Sequence, residues 1–240
     1  MVQKDSPMES YRTFGEGEAM PINKEAYEQL IADLGSHHVT LVAVSKTKSV
    51  EEIKELYDLG QKDFGENYVQ ELTEKQSKLP NDIRWHFIGH LQSNKVKQIV
   101  PFIHLIQSVD SVKLLQEINK QAKKNTRIID CLLQVHIAQE ETKFGLDETE
   151  LNELLNNAIS QYQNIRIAGL MGMASFTDDP NKVKSEFKYL RFIFDHHVKH
   201  QTSNVELQTL SMGMSSDYFV AIEEGSNMVR IGSLIFGARN

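Results

Sequence analysis

Leu41-Val-Ala-Val-Ser-Lys46, followed after two residues by Ser49-Val-Glu-Glu52, decides how the rest of the chain is read. The first segment is short, apolar and partly β-branched, the composition of a buried strand. The second fits a capping box, in which the Ser49 hydroxyl accepts from the third helical N–H and Glu52 reaches back to the cap. A strand passing directly into a capped helix is one βα unit, and the same alternation recurs from Val39 onward. Candidate strands fall at residues 41–46, 63–66, 85–89, 105–109, 128–137, 167–171, 206–211 and 229–231. Asp147-Glu-Thr-Glu150 opens one of the intervening stretches with an acidic version of the box. Eight strands predict an α/β fold of the closed (β/α)8 TIM-type barrel rather than an open sheet. Residues 24–34 read as one additional N-terminal helix, with Pro21 just upstream, where a missing N–H costs little.

Composition sets the limits. With 40% apolar and 25% charged residues in 240, the chain can bury a sizeable core and resembles neither a disordered nor a disulfide-stapled protein. The barrel is expected over residues 21–240. Residues 1–20 are polar, carry Gly and Pro and show no period, so they read as a loosely ordered extension. A net charge of -7 argues against nucleic acid or an anionic membrane surface as partner. No signal-peptide core and no run near the ~18 apolar residues of a membrane span is found, so a cytoplasmic location is expected. The single cysteine, Cys131, lies in an apolar run and reads as a small buried hydrophobe.

A closed barrel gathers its chemistry at the C-terminal ends of the strands. Period-two alternation puts Val42, Val44 and Lys46 on one face, so a lumen-facing strand ends in an amine at the barrel mouth. A partly desolvated amine sheds its proton more readily, and the neutral form condenses with aldehydes. The ordinary reading of such a position is a lysine ending a strand in solvent, and Lys46 needs partners to become a site. Candidate partners stand at the far end of the sequence. LSMGMSSD at 210–217 leads from strand seven into a helix, and MVRIGS at 228–233 spans strand eight and the turn after it. Barrels commonly bind phosphate between these two loops, where Gly admits a close anion and Ser adds a donor. Plain capping by Ser215, Ser216 or Asp217 is the competing account. Arg230 points into the same lumen by alternation and needs an anion or an acceptor there, although an ion pair with a carboxylate would also serve.

Taken together, AVSKTK at 43–48, FGENYVQE at 64–71, WHFIGHLQSNK at 85–95, KFG at 143–145, GLMGMA at 169–174, LSMGMSSD at 210–217 and MVRIGSLIFGAR at 228–239 closely resemble the pyridoxal phosphate homeostasis protein family. The barrel of that family is similar to the N-terminal domain of alanine racemase. The resemblance implies that pyridoxal 5'-phosphate (PLP) is the cofactor, held as a Schiff base to Lys46. It puts the phosphate among Ser211, Gly213, Met214, Ser215, Gly232 and Ser233, and Arg230 opposite the pyridine nitrogen. Asn67 would line the pocket, with Lys48 and Lys143 secondary.

PLP works as an electron sink when its ring nitrogen is protonated, and a permanent cation opposite that nitrogen disfavours this. Alanine racemases also bring a tyrosine from an additional β domain, and here only Asn240 follows Arg239. The expectation is therefore a protein that holds and releases PLP, with PLP-requiring apoenzymes as recipients, rather than an enzyme. A monomer is expected. An amino-acid racemase with a base elsewhere is the alternative, and a barrel binding another phosphorylated metabolite a third. Nine histidines include the adjacent pairs His37-His38 and His196-His197, but neighbours on a helix diverge by about 100° and no HExxH occurs, so no metal is expected. His86 and His90 flank the third strand end and read as satisfied polar positions. Phe187, Leu190, Phe194 and Val198 lie in a helix over 182–200 and read as its core face.

Overall fold

A computed structural model describes residues 22–138, 144–199 and 202–237 of the chain. The expected extension over 1–20, Lys143 and Arg239 lie outside the described residues. Eight parallel strands, β1 (Thr40–Val44), β2 (Asp63–Glu66), β3 (Arg84–Phe87), β4 (Leu105–Val109), β5 (Ile129–Gln134), β6 (Ile165–Met171), β7 (Val205–Ser211) and β8 (Met228–Ile231), close into a barrel in sequence order. The ring is sealed where β1 pairs with β8, Val42 opposite Arg230.

Helices α1 (Lys24–Ser36), α2 (Val50–Asp58), α3 (Val69–Lys78), α4 (Val96–Ile99), α5 (Val112–Lys124), α6 (Glu148–Glu153), α7 (Pro180–His197), α8 (Tyr218–Glu223) and α9 (Ser233–Phe236) surround it. Both capping boxes form, Ser49 with Glu52 on α2 and Asp147 with Glu150 on α6. On α7, Phe187, Leu190 and Phe194 are buried against the barrel, with Val198 partly buried just beyond its end. None of the helices described is long and apolar enough to cross a membrane.

Three strand ends differ from expectation, and the simplest case is β3, which stops at Phe87, two residues before Gly89. β1 stops at Val44, two residues before Lys46, because Ser45 makes one last bond to Gly65 and Thr47 then turns into left-handed backbone at φ 66°. β5 stops at Gln134, although Val135 and Ile137 continue the apolar run. Both remain buried, and the Val135 N–H still donates to the Met171 carbonyl of β6 at 2.9 Å.

The core divides in two. One cluster fills the space between sheet and helices, and a smaller one, Val42, Leu105, Leu132, Met171 and Met228, occupies the lumen. Barrel lumens are packed rather than open. Cys131 belongs to the outer cluster, fully buried, and burial pushes its thiol well above the ordinary range.

Candidate functional site at the barrel mouth

A cavity of about 460 Å³ opens at the C-terminal ends of β1, β2 and β8, a size within the range of small-molecule sites. Lys46, Asn67, Met214, Ser215, Arg230, Gly232 and Ser233 line it, together with Val44 and Lys48. Ser211 and Gly213 are not in its wall. Ser211 is the last residue of β7 and fully buried beneath the cavity. Gly213 sits at φ 98°, a left-handed turn that favours glycine, and an added Cβ would come within 2.6 Å of the Ala221 Cβ. Its contribution is to fold the loop that presents Met214 and Ser215.

Lys46 is half-buried on a turn braced from behind. The Lys75 amine on α3 donates to the Ser45 carbonyl at 2.7 Å and meets Glu66 at 2.8 Å and Glu71 at 2.5 Å. Ser45 Oγ donates to Glu66 at 2.7 Å, and the Thr47 N–H donates to Glu71 at 2.5 Å. The left-handed residue beside Lys46 is thus held by a carboxylate, which offsets a conformational cost of about 1 kcal/mol. Burial drives the Glu66 carboxyl above its ordinary range despite the opposing pull of Lys75. Lys48 closes the other side, donating to the Phe236 carbonyl of α9 at 2.9 Å.

Arg230 is 4% exposed, yet its guanidinium remains charged at neutral pH: burial lowers it only to about 10, with Asp217 opposing. Its hydrogen-bond partners among the described residues are neutral, Ser211 Oγ at 2.6 Å and the Gly172 carbonyl at 3.0 Å. The ion-pair alternative is therefore not what holds it. Asn67 contributes a side-chain oxygen, Oδ1, that is buried without a hydrogen-bond partner. Its backbone lies so close to Gly89 that a Cβ there would stand 2.4 Å from the Asn67 carbonyl. Neither α8 nor α9 begins with a side-chain cap, and the Asp217 carboxylate instead accepts from the Met214 N–H at 2.6 Å. Of the two short helices, α9 starts at the cavity, through Gly232 and Ser233, without the Ser or Asp cap that the plain-turn reading requires.

A buried lysine, a buried carboxylate and a glycine made for close approach were missed by reading the strands alone. The signals were present, since Glu66 is a charge at a strand end, Lys75 falls four residues after Glu71, and Gly89 follows β3. His86 and His90 are indeed satisfied, His86 by Asp63 and Gln107 in the lumen, His90 by Asp110 at 2.8 Å. Asp63, His86 and His104 are the one grouping among the described residues with metal-ligand proximity. The Asp63 carboxylate there is already forked by Arg84. Burial raises that carboxyl, but the bonds from Arg84 and His86 outweigh it and hold it at about 2.

The profile of the alanine racemase N-terminal domain family matches residues 22–240. A pyridoxal phosphate homeostasis protein of Aquifex aeolicus is 42% identical over 209 residues, covering 87% of this chain and 90% of its own. The human protein of the same name is 38% identical over 240 residues, covering 94% and 87%. This chain belongs to the pyridoxal phosphate homeostasis protein family. Among solved structures, PipY of Synechococcus elongatus with PLP bound superposes on this family member with a TM-score of 0.79 at 36% identity, covering 88% of this chain and 100% of PipY. Alanine racemase of Corynebacterium glutamicum, at 15% identity and a TM-score of 0.66, shares the fold alone.

Proposed function

We propose that this protein holds PLP reversibly in the mouth cavity and passes it to PLP-requiring apoenzymes, rather than using it for catalysis. The observation that carries the reading is that an amine, Lys46, and a guanidinium hydrogen-bonded only to neutral groups among the described residues, Arg230, line one cavity with the uncapped start of α9. The residues fit the cofactor: the partnerless Asn67 Oδ1 asks for a donor, and the donor-rich Ser and Gly segments suit a phosphate. The PLP-bound PipY, a relative above one third identity, supports the same reading.

PLP supplies an aldehyde that condenses with amines and a ring that withdraws electrons best when its nitrogen is protonated. Lys46 would hold the aldehyde carbon. Met214, Ser215, Gly232 and Ser233 would bind the phosphate through backbone N–H groups and hydroxyls, with Gly213 shaping their loop. Arg230 would face the ring nitrogen as a donor. Because its hydrogen-bond partners among the described residues are neutral, its charge disfavours a proton on that nitrogen. Such a site binds the aldehyde well and supports carbanion chemistry poorly.

Purified protein is expected to be yellow and to lose the colour on borohydride treatment, with intact mass and peptide mapping placing a phosphopyridoxyl group on Lys46. An unmodified Lys46 after reduction of a PLP-saturated sample overturns the reading. Incubation with amino acids in deuterated water is expected to show no Lys46-dependent exchange of the α-proton; rapid exchange would make the protein an enzyme.

A further inference from the structure

A column of polar side chains crosses the otherwise apolar lumen beneath Arg230. Arg230 Nη1 donates to Ser211 Oγ at 2.6 Å, and Ser211 Oγ donates to Gln107 Oε1 at 2.7 Å. Gln107 Nε2 lies 2.9 Å from His86 Nδ1, and His86 Nε2 lies 3.0 Å from Asp63 Oδ1. Ser211, Gln107 and His86 are each at most 1% exposed. The two ends, together with the placement of the Gln107 amide, set the direction of every bond. A guanidinium can only donate and a carboxylate can only accept, and between them a hydroxyl, an amide and an imidazole can each accept on one side and donate on the other. With Gln107 Oε1 occupied by Ser211, its amide N–H must donate to His86 Nδ1. The imidazole proton therefore sits on Nε2 and points at Asp63.

We propose that Gln107, with His86 and Asp63 beneath it, is a positioning residue that fixes Arg230 for the ring nitrogen of the bound cofactor. This rests on the PLP reading above. Gln107 draws the Ser211 hydroxyl proton downward, so Ser211 offers Arg230 a lone pair and has no proton left for a ligand phosphate. Ser211 thereby acts through Arg230 rather than as a phosphate donor, which accounts for its place below the cavity wall. Arg230 in turn is held from the side and from below, by Gly172 and Ser211, with its charge aimed at the mouth. The anchor is Asp63, kept ionised by Arg84 at the far end of the barrel.

The test uses two ligands without an aldehyde, so Lys46 chemistry does not enter: pyridoxine 5'-phosphate, which has the ring nitrogen, and benzyl phosphate, which lacks it. Gln107→Met keeps side-chain length and suits the surrounding Leu105 and Met228, but accepts nothing from Ser211. It is expected to weaken pyridoxine 5'-phosphate about tenfold while leaving benzyl phosphate within about twofold of wild type. Gln107→Glu restores the acceptor and is expected to retain near-normal discrimination, although it suits the apolar lumen less well. Ser211→Ala, a smaller change, should reproduce the loss for the ring-nitrogen ligand alone, and the double variant should lose no more than either single one.

Equal weakening of both ligands, or discrimination kept in Gln107→Met and lost in Gln107→Glu, overturns the proposal in favour of packing or direct phosphate contact. If wild type binds neither ligand, the PLP reading itself fails; if it binds pyridoxine 5'-phosphate and Gln107→Met binds it equally well, only the positioning role does.

Discussion

Behind Lys46, a lysine and two carboxylates meet where little water reaches; beneath Arg230, the first neighbours are a hydroxyl and a carbonyl, and the carboxylate that ends its column stands at the floor of the barrel. The difference follows from what each cluster must hold. Lys75 and Glu71 grip backbone, the Ser45 carbonyl and the Thr47 N–H, and so fix a turn that has left the ladder. A charge there neutralises other charges of the brace. Beneath Arg230 a hydrogen-bonded carboxylate would cancel the charge that the cavity requires, so dipoles orient it, and Asp217 acts on it only through space. Ions fix a position in the first case, and dipoles preserve a charge in the second.

The largest effect expected from breaking this contrast is on stability. Lys75→Met leaves Glu66 buried and unpaired, with an expected loss of about 3–5 kcal/mol in urea denaturation. Glu66 already has a raised carboxyl, so the folded state binds its proton more tightly than the unfolded chain does. Stability conferred by that proton is present in acid and declines as pH rises through the raised value. The variant has lost the opposing pull of Lys75 and should therefore suffer more near neutrality than in mild acid. A loss under about 1 kcal/mol at all pH values would show that the brace does not need its cation.

Asp63 should behave with the opposite sign and a smaller amplitude. Its folded value of about 2 lies below the ordinary 3.8, so its contribution is present above the unfolded value and is lost as pH falls toward 2. That contribution is about 2 kcal/mol at neutral pH. In Asp63→Asn the acid limb of the stability curve should flatten, whereas an unchanged limb would assign acid unfolding to other carboxylates. The smallest effect belongs to Thr47→Gly. Relief of left-handed backbone and added chain entropy nearly cancel, leaving a change within about 0.5 kcal/mol. A larger loss would mean that the Thr47 side chain, and not its N–H alone, supports the turn.

The barrel was legible because its signals are local: β-branched runs, capping boxes at Ser49 and Asp147, and an amphipathic α7 each lie within a few residues. Arg230 was legible because alternation along β8 fixes which residues face the lumen, whereas Lys46 lies past the end of β1 and reaches the cavity from the turn. Ser211 was harder to place. In a run of Ser, Gly and Met, nothing local tells the last strand residue from the first loop residue, and one step separates a buried partner from a cavity donor. The polar column was beyond local reading altogether, since Ser211 and Gln107 meet across 104 positions of sequence. A weaker hint was available: His86 and Gln107 are polar residues at lumen-facing positions of β3 and β4.

The pairing of β1 with β8 brings together the two extremes of the described chain. The backbone N–H of Asn23, just before α1, also bonds to the Ile235 carbonyl of α9 at 2.8 Å. A chain emerging from the ribosome presents Lys46 early, but the guanidinium, the last glycine turn and the final strand follow nearly 190 residues later in synthesis, the separation of Lys48 from its own partner Phe236 being 188. Lys46 and Arg230 share one cavity only where β8 has paired with β1, so a site built from both exists only in the closed ring.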